Sequence, residues 1–185
     1  LDVIQTFIAE ARKKAGRVVL PEGGDARVLQ AARRLADEGT ARPLLLGPEA
    51  ALSAAADAAG VSLAGLATLD PEADESLDRY AEAYAAERGT VDAKVARRLV
   101  RKPLYFAGMM VKAGDADAMV AGAANPTRRV IEAGLLTVGL AHGIDTPSSF
   151  FLMAAPDFLG LGRRAFVFAD CAVNIEPSAA ELADI

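Results

Sequence analysis

The segment Gly122–Arg129, GAANPTRR, sets small residues, hydrogen-bonding side chains and guanidinium groups at a predicted strand-to-helix transition. A helix start presents N–H groups without intrahelical acceptors and the positive end of the helix dipole, so such a residue set can hold a phosphate. Gly122, Ala123 and Ala124 permit close approach, Asn125 and Thr127 offer hydrogen bonds, and Arg128 and Arg129 suit phosphate oxygens. The dipole contributes only about 0.3–1 kcal/mol when exposed, so shape and arginine contacts must supply more. An ordinary capped helix with solvated arginines accounts for the same residues.

Other candidates are less directed. PEGGD, Pro21–Asp25, is also a strand-to-helix turn, but it lacks the glycine spacing of a dinucleotide loop and the Lys-Ser/Thr ending of a P-loop. Glu22 within it disfavours an anion, and a structural turn is the simpler reading. Arg97, Arg98, Arg101 and Lys102 read as a solvated helix face. Arg88 falls at a predicted helix end, where the dipole favours a cation. Asp115 and Asp117 flank a turn and need not be a catalytic pair. Asp170, Cys171 and Asn174 follow an apolar strand, a place where open α/β sheets often bind ligands. Cys171 has no evident base and reads as packing, and His142 reads as a loop residue.

The elements that position these groups alternate. Leu1–Ala15 predicts an amphipathic helix capped by Asp2, with Val3, Phe7, Ile8 and Ala11 near one face. RVVL, 17–20, predicts a strand, and Asp25 caps a helix through Val28, Leu29, Ala32, Leu35 and Ala36 that stops at Gly39. Pro43–Leu46 predicts a second strand and Pro48 opens another helix. Leu63–Leu69 offers a strand interrupted by Gly65, and helices follow over 77–88, 91–101 and 103–113. AMVA, 118–121, predicts a strand, after which Asn125 caps a helix with Pro126 at its first position, running to about Val138. Beyond Gly143 come strands over 148–154 and 165–168, then a short helix with Ser178 and Glu181 at capping-box spacing. The alternation predicts a mostly parallel sheet with helices on its faces. We place a domain boundary near Gly143, with a first α/β/α domain over 1–143 and the beginning of a second α/β domain over 144–185.

Composition narrows the function. The 185 residues include 52% hydrophobic and 24% charged residues, which is the composition of a folded domain with a real core. Twenty basic against 25 acidic residues give a net charge of −5, which argues against non-specific nucleic-acid or anionic-membrane binding while leaving room for a local basic pocket. One cysteine and one histidine exclude an intrachain disulfide, a thiolate zinc cluster and a two-histidine metal site within these residues. No run approaches the ~20 apolar residues of a membrane span, nothing resembles a signal peptide, and a reducing cytoplasm is the expected compartment.

Taken together, LPEGGDARVLQAARRLADEG, ADAMVAGAANPT and FVFADCAVN, with their spacing, resemble the amino-terminal portion of the phosphate acetyl/butyryltransferase family. The resemblance spans essentially the whole chain. It implies a two-domain, three-layer α/β/α architecture like that of isocitrate and isopropylmalate dehydrogenases, usually a homodimer. It also implies reversible transfer of an acetyl or short acyl group between acyl phosphate and coenzyme A, the latter as substrate, with no tightly bound cofactor and no metal. By this resemblance Arg88, preceded by AEAYAAER, corresponds to a ligand-binding arginine, and Asn125 and Thr127 are cleft residues. A further family arginine falls on Glu132, so Arg128 or Arg129, one turn earlier, is expected to supply that charge. The family's distal Ser-Arg pair and catalytic aspartate fall beyond Ile185, so no catalytic residue is assigned and these 185 residues alone are expected to be an incomplete catalytic unit. A non-catalytic domain sensing acetyl-CoA or acyl phosphate is the alternative, favoured by Glu132. A dehydrogenase on the related fold lacks its substrate-binding constellation.

Overall fold

Consecutive apolar residues in β1 (Arg17–Leu20) and β2 (Arg42–Leu46) project to opposite sides, so both strands need cover on both faces. The computed structural model, which describes residues 3–185, provides it. The cap expected from Asp2 lies outside the described residues. After α1 (Val3–Lys14) the chain runs β1, α2 (Ala26–Asp37), β2, α3 (Glu49–Ala59) and β3 (Ala67–Leu69). Then come α4 (Ser76–Arg88), α5 (Ala93–Val100), α6 (Pro103–Ala113), β4 (Ala118–Met119) and α7 (Thr127–Thr137). The strands form a four-stranded sheet of order β3-β2-β1-β4, parallel throughout.

Leu20 and Leu45 pack on one face against Val28, Leu29 and Ala32 of α2 and Leu52 and Ala56 of α3. Val19, Leu44 and Leu46 meet Leu77, Tyr80, Val100, Phe106 and Met109 from α4, α5 and α6 on the other. Asp25 caps α2 by accepting from the Arg27 N–H, and Pro103 sits in the first turn of α6. Among the described residues no helix is long and apolar enough to cross a membrane.

Three expectations change. β3 begins only at Ala67, because Gly65 turns the chain with φ +75°. β4 stops at Met119 rather than Ala121, since the backbone from Gly122 onward turns to the Glu22 carboxylate. The helix after GAAN begins at Thr127 with Pro126 as its N-cap. Asn125 does not cap it, because its amide donates to Glu22 instead.

The described residues divide into two compact units, one of Glu10–Gly139 and one that joins the residues through Ala9 to Leu140–Ile185. In the second unit β5 (Phe150–Ala155) and β6 (Arg164–Ala169) form an antiparallel pair, and α8 (Ala179–Asp184) starts with the expected Ser178/Glu181 capping box. Adjacent side chains on a strand point to opposite faces, yet Phe150 (67%), Phe151 (58%), Val167 (66%) and Phe168 (56%) are all exposed. Apart from Phe158 against Phe166, both faces of this hairpin are largely uncovered within its unit, and an isolated two-stranded sheet is marginal in water.

The α4–β4 junction is tied by a polar contact at the edge of the core, between a buried tyrosine and half-exposed charged partners. Tyr80, 2% exposed, packs edge-on against Phe106 at 5.1 Å and donates its hydroxyl to Asp115, which also accepts from Arg79 at 2.6 Å. Burial and then the Asp115 carboxylate push the Tyr80 hydroxyl above its ordinary value, so it remains a donor. Tyr80→Phe keeps the ring and loses the bond to a charged acceptor. A loss of about 1.5 kcal/mol is expected in urea unfolding. Unchanged stability would show that this hydroxyl contributes nothing to the junction.

Candidate functional site

β1 and β4 are neighbours, while β2 and β3 lie on the other side of β1. The chain therefore changes direction across the sheet between β1 and β4, and the loops leaving their carboxyl ends flank the crevice where open α/β sheets bind ligands. Those loops are Pro21–Asp25 and Gly122–Pro126. The first can pass close to β2 only because position 23 is glycine. A Cβ there would lie 2.7 Å from both the Leu46 carbonyl oxygen and Leu52 Cδ2.

Glu22 joins the two loops. Its Oε2 accepts from the N–H groups of Gly122 and Ala123, each at 2.8 Å. Its Oε1 accepts from the N–H of Ala124 at 3.0 Å, the N–H of Asn125 at 2.6 Å and the Asn125 amide at 2.8 Å. The residue is 8% exposed. Burial alone raises its carboxyl, but the Asn125 amide and the N–H groups of Ala123, Ala124 and Asn125 outweigh burial and hold it below its ordinary value. The N–H groups that the sequence offers to a phosphate are thus turned onto an internal carboxylate. Arg27 completes the junction by donating to the Ala123 carbonyl and, bidentately, to Asp25 at 3.0 and 2.7 Å.

Beside this junction lies a cavity of about 720 Å³, lined by the 21–25 loop, the start of α6 and the start of α7. Lys102, Tyr105, Asn125, Arg129 and Glu132 bring its remaining polar chemistry. No side chain caps α6, so the positive dipole end of that helix borders the cavity. The Lys102 ammonium lies 5.9 Å from the centre of the Tyr105 ring. Burial, then the Glu132 charge, pushes the Tyr105 hydroxyl up and keeps it neutral. Among the described residues neither Lys102 nor Arg129 has an ion-pair partner.

The candidates from sequence do not all converge. Asn125 lines the cavity, with both its backbone N–H and its amide donating to Glu22. Thr127 and Arg128 are exposed in the first turn of α7, outside the cavity lining, whereas Arg129 lies within it. Arg88 ends α4, donates to the Leu135 carbonyl at 3.1 Å and lies 5.8 Å from the Tyr84 ring centre. Its anchor on α7 is eight residues from Thr127, roughly 12 Å along the helix. The basic run divides: Arg97 pairs with Asp78 and Arg101 approaches Glu72, while Lys102 leaves that face to open α6 at the cavity. Asp115 and Asp117 are structural acceptors, the latter taking the Arg17 N–H at 2.6 Å.

Within the hairpin unit, Asp170 accepts from the N–H groups of Ser149 at 2.9 Å, Val173 at 3.1 Å and Asn174 at 2.5 Å, and from the Asn174 amide at 2.9 Å. The Ser149 hydroxyl donates to the same carboxylate and lies 3.5 Å from Cys171 Sγ. The Ser149 hydroxyl, followed by these N–H groups, holds the Asp170 carboxyl far below its usual range. The cluster closes the turn after β6 on itself. Among the described residues no group of three histidine, cysteine or carboxylate side chains is placed to hold a metal ion.

Comparison with known proteins is consistent along the chain. The family described as phosphate acetyl/butaryl transferase matches residues 2–185. A phosphate acetyltransferase of Treponema pallidum is 39% identical over 97% of this chain and 56% of its own length. One from Thermoanaerobacterium thermosaccharolyticum is 36% identical over 100% of this chain and 56% of its own. Among solved structures, a phosphotransacetylase from Streptococcus pyogenes superposes with a TM-score of 0.84 at 31% identity, covering 98% of this chain and 55% of that one. The EutD phosphotransacetylase from Staphylococcus aureus does so with a TM-score of 0.84 at 26% identity. The chain thus spans about 56% of the length of these curated relatives.

Proposed function

The chain belongs to the phosphate acetyl/butaryl transferase family, and from that premise we propose that the whole protein transfers an acetyl or short acyl group reversibly between acyl phosphate and coenzyme A. The observation that carries the reading to a place is the cavity at the β1/β4 crevice, where Lys102 and Arg129 stand without carboxylate partners among the described residues. An anionic acyl phosphate meets cationic side chains there. Arg88, Asn125, Thr127 and Arg128 are the further substrate contacts in this reading, with Arg88 serving the far end of an extended ligand such as coenzyme A.

The chemistry sets what else is needed. A free thiol with a pKa of about 8.5 is only about 3% thiolate at pH 7, so a base that removes its proton assists attack on the acyl carbonyl. The new C–S bond forms, the carbonyl oxygen takes up charge in the tetrahedral intermediate, and the C–O bond to phosphate then breaks. Cations and N–H donors stabilise the oxyanion and the departing phosphate. None of the described cavity residues is assigned as the base. In this proposal it lies, with a Ser-Arg pair, in the part of the family that this chain does not span. The bare hairpin faces support a further covering layer in the whole protein, which we read as the three-layer isocitrate/isopropylmalate dehydrogenase-like architecture in a cytoplasmic homodimer.

The test uses the full-length protein, with acetyl phosphate and coenzyme A as substrates and thioester formation as the readout. Turnover is expected, with Arg88→Ala and Arg128→Ala each raising a substrate KM several-fold. Residues 1–185 alone are expected to give background only. Coenzyme A binding without turnover by the full-length protein would replace this reading with the sensing one, which Glu132 in the cavity wall favours.

A further inference from the structure

Four consecutive residues, Gly122 to Asn125, aim their backbone N–H groups at one point. A cup of this kind is an anion site, and proteins commonly use it for phosphate. Here the anion is Glu22, a hundred positions earlier in the chain. No neutral side chain could replace it, because the fifth contact, from the Asn125 amide, is also a donor. A glutamine would offer a single oxygen and turn its own N–H bonds toward donors. From this cup the backbone passes through Pro126 directly into α7, which carries Arg129 and Glu132 on the cavity wall.

We infer that Glu22 is a positioning residue for the proposed acyl transfer: its carboxylate fixes the 122–125 loop, sets the placement of Asn125 and Arg129 in the cavity, and denies the loop N–H groups to the substrate phosphate. The inference rests on the cavity being the acyl phosphate site. Glu22 borders the cavity but acts through the loop, since both of its oxygens are taken by loop donors. Two consequences follow from its geometry. A phosphoryl group is directed to side-chain cations rather than to the loop backbone, and the start of α7 is held by a charge already inside the protein before substrate arrives.

The experiment compares full-length wild type with Glu22→Gln and Glu22→Ala, reading steady-state kinetics with acetyl phosphate and amide hydrogen exchange over 122–125. Glu22→Gln is expected to lower kcat/KM at least tenfold while its melting profile stays cooperative, and to speed exchange of the four loop amides at least tenfold. In Glu22→Ala, added formate is expected to refill the cup and restore activity saturably, with no such gain in wild type. A folded Glu22→Gln protein with wild-type kcat/KM overturns the proposal, and so does wild-type protection of the loop amides. Loss of activity in Glu22→Ala that formate leaves unchanged also overturns it. If wild type itself lacks turnover, the functional reading fails, and the exchange data still decide whether Glu22 holds the loop.

Discussion

Gly108→Ala is expected to destabilise the protein by about 2 kcal/mol, against the ordinary preference of a helix interior for alanine. Helix propensity alone would favour the change by up to about 1 kcal/mol. Position 108, however, lies where α6 crosses α7. A Cβ there would fall 2.0 Å from Thr137 Oγ1 and 2.9 Å from Thr137 Cβ. Thr137 cannot easily yield: it is buried, β-branched, and its hydroxyl donates to the Ala133 carbonyl at 2.6 Å. Overpacking of this kind typically costs about 1–3 kcal/mol, and the overlap puts this case high in that range. Gly134→Ala on α7 supplies the opposite sign, since a Cβ at that position meets nothing within 4 Å. It should stabilise by about 0.5–1 kcal/mol. Thr137→Ala combined with Gly108→Ala should recover part of the loss, a coupling expected only of residues in contact. Urea midpoints of wild type, these three variants and Thr137→Ala alone check all of this. A Gly108→Ala protein as stable as wild type would mean that the two helices do not cross at this point. The crossing matters for the site, because α6 opens with Lys102 and the first turns of α7 carry Arg129.

Local signals in the sequence carried the first half of the fold. Consecutive apolar residues in RVVL and PLLL impose two-sided burial, and Asp25 and the Ser178/Glu181 pair cap the helices they are expected to start, while α6 begins at Pro103 as its range predicts. Signals failed where the deciding partner was distant. The N–H groups of GAAN are chemically suited to an external phosphate, and nothing within the motif indicates that Glu22 already serves them. For the same reason the local motif predicts a cap at Asn125, whereas its amide is drawn to that carboxylate. Lys102 is masked by its neighbours: a run of four basic residues reads as one solvated face, yet the helix ends at Arg101 and a new one opens at Pro103, which places the lysine at the cavity. A lysine immediately before a helix-opening proline was the available sign. The hairpin strands were legible as apolar runs, but periodicity carries no information on whether two strands pair parallel or antiparallel.

Arg129→Ala in the full-length protein is expected to raise KM for acetyl phosphate at least tenfold, and Glu132→Arg to lower it. The argument is an accounting of charge in the cavity wall. Glu22 keeps its charge but spends both oxygens on the five donors around it, and Asp25 is paired with the bidentate Arg27. Lys102, Arg129 and Glu132 are the charges left to meet a ligand. Arg129 and Glu132 are three residues apart on α7 and share its cavity-facing side, so the carboxylate opposes any anion the arginine attracts. Removing Arg129 takes away a charge-assisted hydrogen bond, whose typical worth corresponds to a tenfold to hundredfold change in affinity. Converting Glu132 to arginine changes the local charge by two units in the favourable direction and adds a planar donor group. The effect of either change should shrink as ionic strength rises, because the cavity is open to solvent and its charges are screened. Equal KM values for wild type and Arg129→Ala at low salt would remove the cavity from the reaction. A raised KM in Glu132→Arg would instead mean that the anionic end of the substrate lies elsewhere and that Glu132 faces a cationic or neutral group.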